Sequence, residues 1–253
     1  NLHNLVIDNL GYTGLRYWQL SSPTQRFKNI TADQLFRKIR SSVGFYLYRY
    51  LVPSIQSMHR VNMNTYEECW HFQKNLFLCY NFVIQLRFIA LEEYMLRADT
   101  SFIFRQYEKL LLQNTTSDQT FALKCPDHMM FLNRINMVFP QSKIIWIHRD
   151  PYDSILSYCS MIDSVWRLFF GETNKQEVGD FIVNLFNRMT QKAMEDREHL
   201  NFEIIDVSYN DLISDRDKVT KELSEKIGIK DRDIEKKGRK SKFFESKYNK
   251  ERD

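Results

Sequence analysis

The sequence predicts an α/β protein, a three-layer α/β/α arrangement in which helices pack on both sides of a central parallel sheet. Short apolar runs of β type stand at 121–124, 143–149 and 202–209. Segments of helical periodicity separate them, and strands that alternate with helices imply βαβ units and parallel pairing. Residues 1–118 hold no such run and read as a mostly helical half.

Taken in order, "NLHNLVIDNL" carries Leu2, Leu5, Val6 and Leu10 at helical spacing. A helix over 31–50 opens on Thr31, with Gln34 three residues later as a capping box. Thr65 and Glu68 repeat that signature and open a long helix reaching 96. Residues 100–113 form another helix, and 114–120 a polar loop. "FALK" at 121–124 is a short buried strand that ends in a charge. A helix over 127–139 stops at Pro140. "KIIWIHR" is the second strand, and its apolar run from Ile144 to Ile147 suits burial on both faces. Helices follow at 150–170 and 176–199, then the third strand, then an amphipathic helix capped by Ser214. The whole reads as one domain: a mostly helical half over 1–118, an α/β core over 119–229 and a charged tail over 230–253.

Composition narrows the function classes. Of 253 residues 43% are hydrophobic and 27% charged, as in an ordinary globular protein. The net charge of +4 is too small, and its Lys and Arg too dispersed, to indicate nucleic acid. No stretch is apolar enough to span a bilayer. Cys69, Cys79, Cys125 and Cys159 form no CxxC and no metal spacing with His. They read as free thiols of a reduced compartment, so the expected location is cytoplasmic. Tyr46, Tyr48, Tyr50, Trp70, Phe72 and Phe77 recur at helical spacing; most should be core and the rest could line an acceptor pocket.

The second strand carries the chemistry. Arg149 stands at its carboxyl end, where open α/β sheets bind ligands. Asp150 suits the cap of the next helix and Pro151 its first position. Ile155, Tyr158, Ile162, Trp166 and Phe169 form that helix's buried stripe, with Ser157 on another face. Arg149 and Ser157 thus flank a helix N-terminus, which favours a phosphate. The bland alternative is a capped junction with Arg149 paired to a surface carboxylate. "HRD" also opens the protein-kinase catalytic loop, but Ile155 stands where that loop needs Asn, and neither GxGxxG nor DFG occurs.

The order of these segments resembles a known family. The stretch "LKCPDHMMFLNRINMVFPQSKIIWIHRDPYDSILSYCSMIDSVW" is similar to the core of PAPS-dependent sulfotransferases of the bacterial-type LKSPxH…HRDP branch. "MHRVNMNTYEEC" and "VSYNDLISDRDKVTKELSEKIGI" resemble its flanking segments. The resemblance implies a P-loop-kinase-like three-layer fold. It implies transfer of a sulfonyl group from 3'-phosphoadenosine 5'-phosphosulfate to an acceptor hydroxyl or amine, on a small molecule or biopolymer, without a metal. It assigns the 3'-phosphate to Arg149 and Ser157, and the transferring sulfonyl to Lys124, whose fixed charge suits the developing negative charge.

Two departures qualify the resemblance. The family's glycine-rich phosphosulfate loop, roughly PxxGxxRSGTT, is absent, and the first residues resemble the family segment just behind that loop. The expectation is a truncated product; were the loop lost, turnover should collapse. Gln19 stands where relatives often carry a Glu base. The base is then expected to be His59, or secondly His128. An inactive nucleotide-binding relative and a scaffolding protein that keeps the fold are the competing readings.

Overall fold

The computed structural model describes residues 2–51, 53, 61–114, 119–200 and 203–229. The tail from 230 and His59 lie outside the described residues. Strand β1 (Lys143–His148) pairs in parallel with β2 (Glu203–Ser208), Lys143 opposite Glu203 and His148 opposite Ser208. These two strands form the sheet among the described residues.

Alternation along the strands sends side chains to two separate cores. On one face Ile205 and Val207 pack with Leu5, Val6 and Leu10 of α1 (Leu2–Leu10). Leu212 of α11 (Tyr209–Ser214) joins them, as do Val219 and Leu223 of α12 (Arg216–Ile227). On the other face Ile144 and Ile204 meet the larger core. Ile162 and Trp166 of α9 (Pro151–Phe170) and Ile182 and Leu185 of α10 (Lys175–His199) fill that core. Helices therefore cover both faces of a parallel sheet, the expected α/β arrangement. β1 is less buried than expected: Ile144 to Trp146 are half-buried and Ile147 is exposed. Phe169 also points outward, because the buried stripe of α9 ends at Trp166.

Residues 121–124 do not form a full strand. Phe121 makes a single parallel bridge with Thr13. The carbonyl of Lys124 instead accepts a hydrogen bond of 2.9 Å from the Cys69 N–H, so the ladder ends there. The expected helix at 127–139 begins as a 3₁₀ turn over Pro126–Phe131 and becomes helix α8 at Leu132–Val138.

The long helix expected from 65 is broken into α4 (Trp70–Gln73), a 3₁₀ turn over Lys74–Leu76, α5 (Tyr80–Leu86) and α6 (Ile89–Arg97). Phe77 (φ 57°) and Arg87 (φ 54°) take left-handed backbone and close two of these segments. Such residues cost about 1 kcal/mol each and carry no Gly or Pro signal. The Arg87 guanidinium stacks 3.7 Å from the Trp166 ring centroid and pairs with Glu177 at 2.7 Å, which holds that turn. α7 follows at Ser101–Gln113.

Three caps differ from expectation. Helix α3 (Ile30–Leu51) begins one residue early, and the Asn29 side chain accepts from the Ala32 N–H at 3.0 Å, so Thr31 is not its cap. Thr65 donates to Glu67 at 3.0 Å rather than capping a helix. Asp215, not Ser214, caps α12 by accepting from the Lys218 N–H. Of the aromatics at helical spacing, Phe72 is core, while Tyr46, Tyr50 and Phe77 are exposed.

Candidate active site

The site residues stand on the loops that follow the extended segments. Lys124 ends the segment bridged to Thr13, and Arg149 follows the last residue of β1. The 3₁₀ turn after Cys125 follows Lys124 in the chain, and α2 (Tyr17–Ser21) packs on α4.

Lys124 is half-buried, and its Nζ lies 3.4 Å from Glu68 Oε1. The backbone bond between Cys69 and Lys124 fixes this approach, because it ties the two segments side by side. On the same segment the carbonyl of Ala122 accepts from His3 Nε2 at 2.9 Å, and burial lowers the pKa of that imidazole. One turn beyond Lys124, Asp127 is 2% exposed. Burial first, and then the negative charge of Glu68, push its carboxyl up to about 7. Its Oδ2 has no hydrogen-bond partner among the described residues. His128, the next residue, is driven down to about 4 by burial, which disfavours the imidazolium. The buried thiols beside this cluster are inert: burial pushes Cys69 up to about 11 and raises Cys125 as well.

Gln19 is committed elsewhere. Its Oε1 accepts from the Arg16 N–H at 2.8 Å and its Nε2 donates to Asn114 Oδ1 at 3.0 Å. The amide closes the N-terminus of α2 and links it to the end of α7.

At the end of β1, Asp150 caps α9 by accepting from the N–H groups of Tyr152 (2.8 Å) and Asp153 (3.4 Å). Those two donors are therefore not open to an external anion, contrary to the simplest helix-terminus picture. An anion bound here would have to be held by side chains. Arg149 is partly exposed; its Nη2 lies 3.8 Å from Asp153 Oδ2 and its guanidinium 4.9 Å from the Tyr209 ring centroid. Ser157 is exposed, one helical turn beyond Asp153 on the same side of α9. Arg149, Asp153 and Ser157 thus stand four residues apart in series, with a carboxylate between the two donors. On the neighbouring face of the sheet, Asp206 accepts from Arg197 at 2.8 and 2.6 Å, and His148 Nε2 lies 2.7 Å from it. Arg197 and then His148 hold that carboxyl well below the usual carboxylate range.

Three neighbours were not singled out in the sequence as site residues. Glu68 was legible as a capping or surface charge that could orient a His, not as a partner of Lys124. Tyr209 lay within the quoted "VSYND" segment, and Asp127 was signalled by a carboxylate set in an otherwise apolar run. Among the described residues no group of three or more His, Cys, Asp or Glu is placed to hold a metal ion.

The model of the sulfotransferase family matches residues 48–233. No curated protein matches the chain. Among solved structures, the sulfotransferase STF1 of Mycobacterium tuberculosis superposes with a TM-score of 0.74 at 19% identity, over 94% of this chain and 66% of that one. The sulfotransferase STF9 of Mycobacterium avium gives a TM-score of 0.69 at 18% identity, over 94% of this chain and 63% of that one. The chain therefore spans less than two thirds of the length of either. The two structures establish the fold; the family match, covering well over half of the sequence, leads to the conclusion that this chain belongs to the sulfotransferase family.

Proposed function

We propose that the chain transfers a sulfonyl group from 3'-phosphoadenosine 5'-phosphosulfate to an acceptor hydroxyl or amine. The observation that carries this reading is Arg149. Its guanidinium stands at the carboxyl end of a parallel strand, and among the described residues it has a long contact to an exposed carboxylate and an aromatic ring to lean on. Such a fork is free to exchange Asp153 for a phosphate, which is dianionic and accepts two donors at once. Ser157 adds a hydroxyl from α9.

The donor supplies the sulfonyl group and leaves as 3',5'-ADP. Lys124 is the proposed cation for that end. Its charge is half-buried and already oriented by Glu68, so it needs little rearrangement to face developing negative charge. For the acceptor's proton His128 is a weak recipient, since burial holds it at about 4. Glu68 is a carboxylate within reach of Lys124 and takes this role in the proposal. His59, the base first expected from the sequence, lies outside the described residues.

Titration calorimetry with 3',5'-ADP tests the phosphate site. Arg149→Ala should weaken binding at least tenfold, since a charge-assisted contact contributes roughly 1.5–3 kcal/mol. Unchanged affinity would refute the assignment. Transfer of labelled sulfonyl to a panel of acceptors then tests activity; binding without transfer would favour an inactive nucleotide-binding relative.

A further inference from the structure

Helix α3 docks on the protein through its polar side. Asp33, Arg37, Ser41 and Phe45 recur every fourth residue and are its buried residues. Arg37 Nε donates to the Ser22 carbonyl at 2.6 Å, and its guanidinium lies 4.9 Å from the Trp18 ring centroid. Ser41 donates to the Trp18 carbonyl at 3.3 Å, and the Asp33 carboxylate accepts from the N–H groups of Arg26 and Phe27. Phe45 meets the Tyr17 ring edge-on at 5.2 Å.

The opposite side is apolar and faces outward. Leu35, Ile39, Val43, Tyr46, Leu47 and Tyr50 are between 57% and 81% exposed. At 3.6 residues per turn they fall within an arc of roughly 120° along a helix of about 33 Å. Arg40 borders this arc on one side and Lys38 and Arg49 on the other, with Arg26 and Lys28 just before the helix. The only acid between 24 and 51 is Asp33, which is buried against Arg37.

A continuous exposed apolar stripe of this length marks an interaction surface. The charges choose the occupant. A second copy would set Arg40 and Arg49 against the same residues with no exposed acid on the helix to neutralise them. A surface that is apolar beneath and negative at its rim matches the pattern instead. We infer that α3 lies flat on an anionic membrane surface, its apolar arc in the headgroup boundary and its basic flanks on the lipid phosphates. Among the described residues no helix is long and apolar enough to cross a membrane.

The test is co-sedimentation of the full chain with vesicles of phosphatidylcholine alone or mixed with phosphatidylserine. Binding should appear with phosphatidylserine and weaken as salt is raised. Arg40→Glu with Arg49→Glu should reduce it about 25-fold or more, from about fivefold per lost basic residue. Ile39→Glu and the milder Val43→Ser should each reduce it too, with circular dichroism unchanged because both side chains are exposed. Met137→Glu, at an exposed methionine on α8, should leave it intact. Equal binding to both vesicle types, no binding to either, or loss on Met137→Glu would overturn the inference. So would a dimer in sedimentation equilibrium that Val43→Ser dissolves, which would assign the stripe to a second copy.

Discussion

Replacing Asp127 with Asn should stabilise the protein, and the gain should grow with pH. The carboxyl is 2% exposed and is raised from an ordinary 3.8 to about 7. Below the unfolded value both states hold the proton and the group contributes no difference. As pH rises from 3.8 toward 7 the unfolded chain ionises Asp127 while the folded chain keeps it neutral. The folded state then binds more protons, so stability falls with rising pH, by about 1.4 kcal/mol per unit. The full loss is about 4 kcal/mol, reached above the folded value. An Asn side chain has nearly the same shape and does not titrate. Groups that do not interact with Asp127 titrate alike in the two proteins and cancel in the difference. Urea unfolding followed by tryptophan fluorescence at about pH 5 and about pH 8 should therefore show the advantage of Asp127→Asn growing by about 3 kcal/mol. An advantage that does not change with pH would mean that the folded protein already ionises this acid, and the reasoning from burial and Glu68 would fail. The result bears on the site as well, since a neutral Asp127 leaves Glu68 as the carboxylate charge set against Lys124.

Asp153→Asn should tighten 3',5'-ADP binding by about threefold to tenfold at low salt, because it removes a competing charge 3.8 Å from Arg149; calorimetry that shows weaker binding would exclude Asp153 as a competitor. In the larger core, Glu92 accepts from Tyr80 at 2.5 Å and from Arg188 at 3.0 Å twice, with 5% of its side chain exposed against 44% for Arg188. Arg188→Ala strands a buried carboxylate and should cost about 3 kcal/mol, whereas Glu92→Gln keeps an acceptor for Tyr80, strands only a guanidinium that water reaches and should cost less. Urea melts giving the opposite order would reject that account.

Much of the architecture was readable because it rests on local rules. Asp150 before Pro151 caps α9 as expected, since cap chemistry needs only the residues within one turn. The parallel pairing of β1 and β2 followed from strands separated by helical segments. The family's segment order was equally legible, because it depends on spacing along the chain. What escaped was set by distant partners. Phe77 and Arg87 break an apparently continuous helix, and Arg87 is held by Trp166 and Glu177, far along the chain. The cap at Asn29 rather than Thr31 was instead a local choice between two capping side chains two residues apart.

The sequence alone determined the α/β class and the family, and it put a guanidinium after β1 and an ammonium after Phe121, because these are matters of periodicity and order. Tertiary structure alone decided the state of those groups. It set Glu68 beside Lys124 and buried Asp127 deeply enough to raise its carboxyl. It also turned the apolar side of α3 outward by docking its polar side first. The physical reason is common to all of these. Charge, burial and competition for hydrogen bonds depend on which remote atoms arrive within a few ångströms, and chain order does not specify that distance.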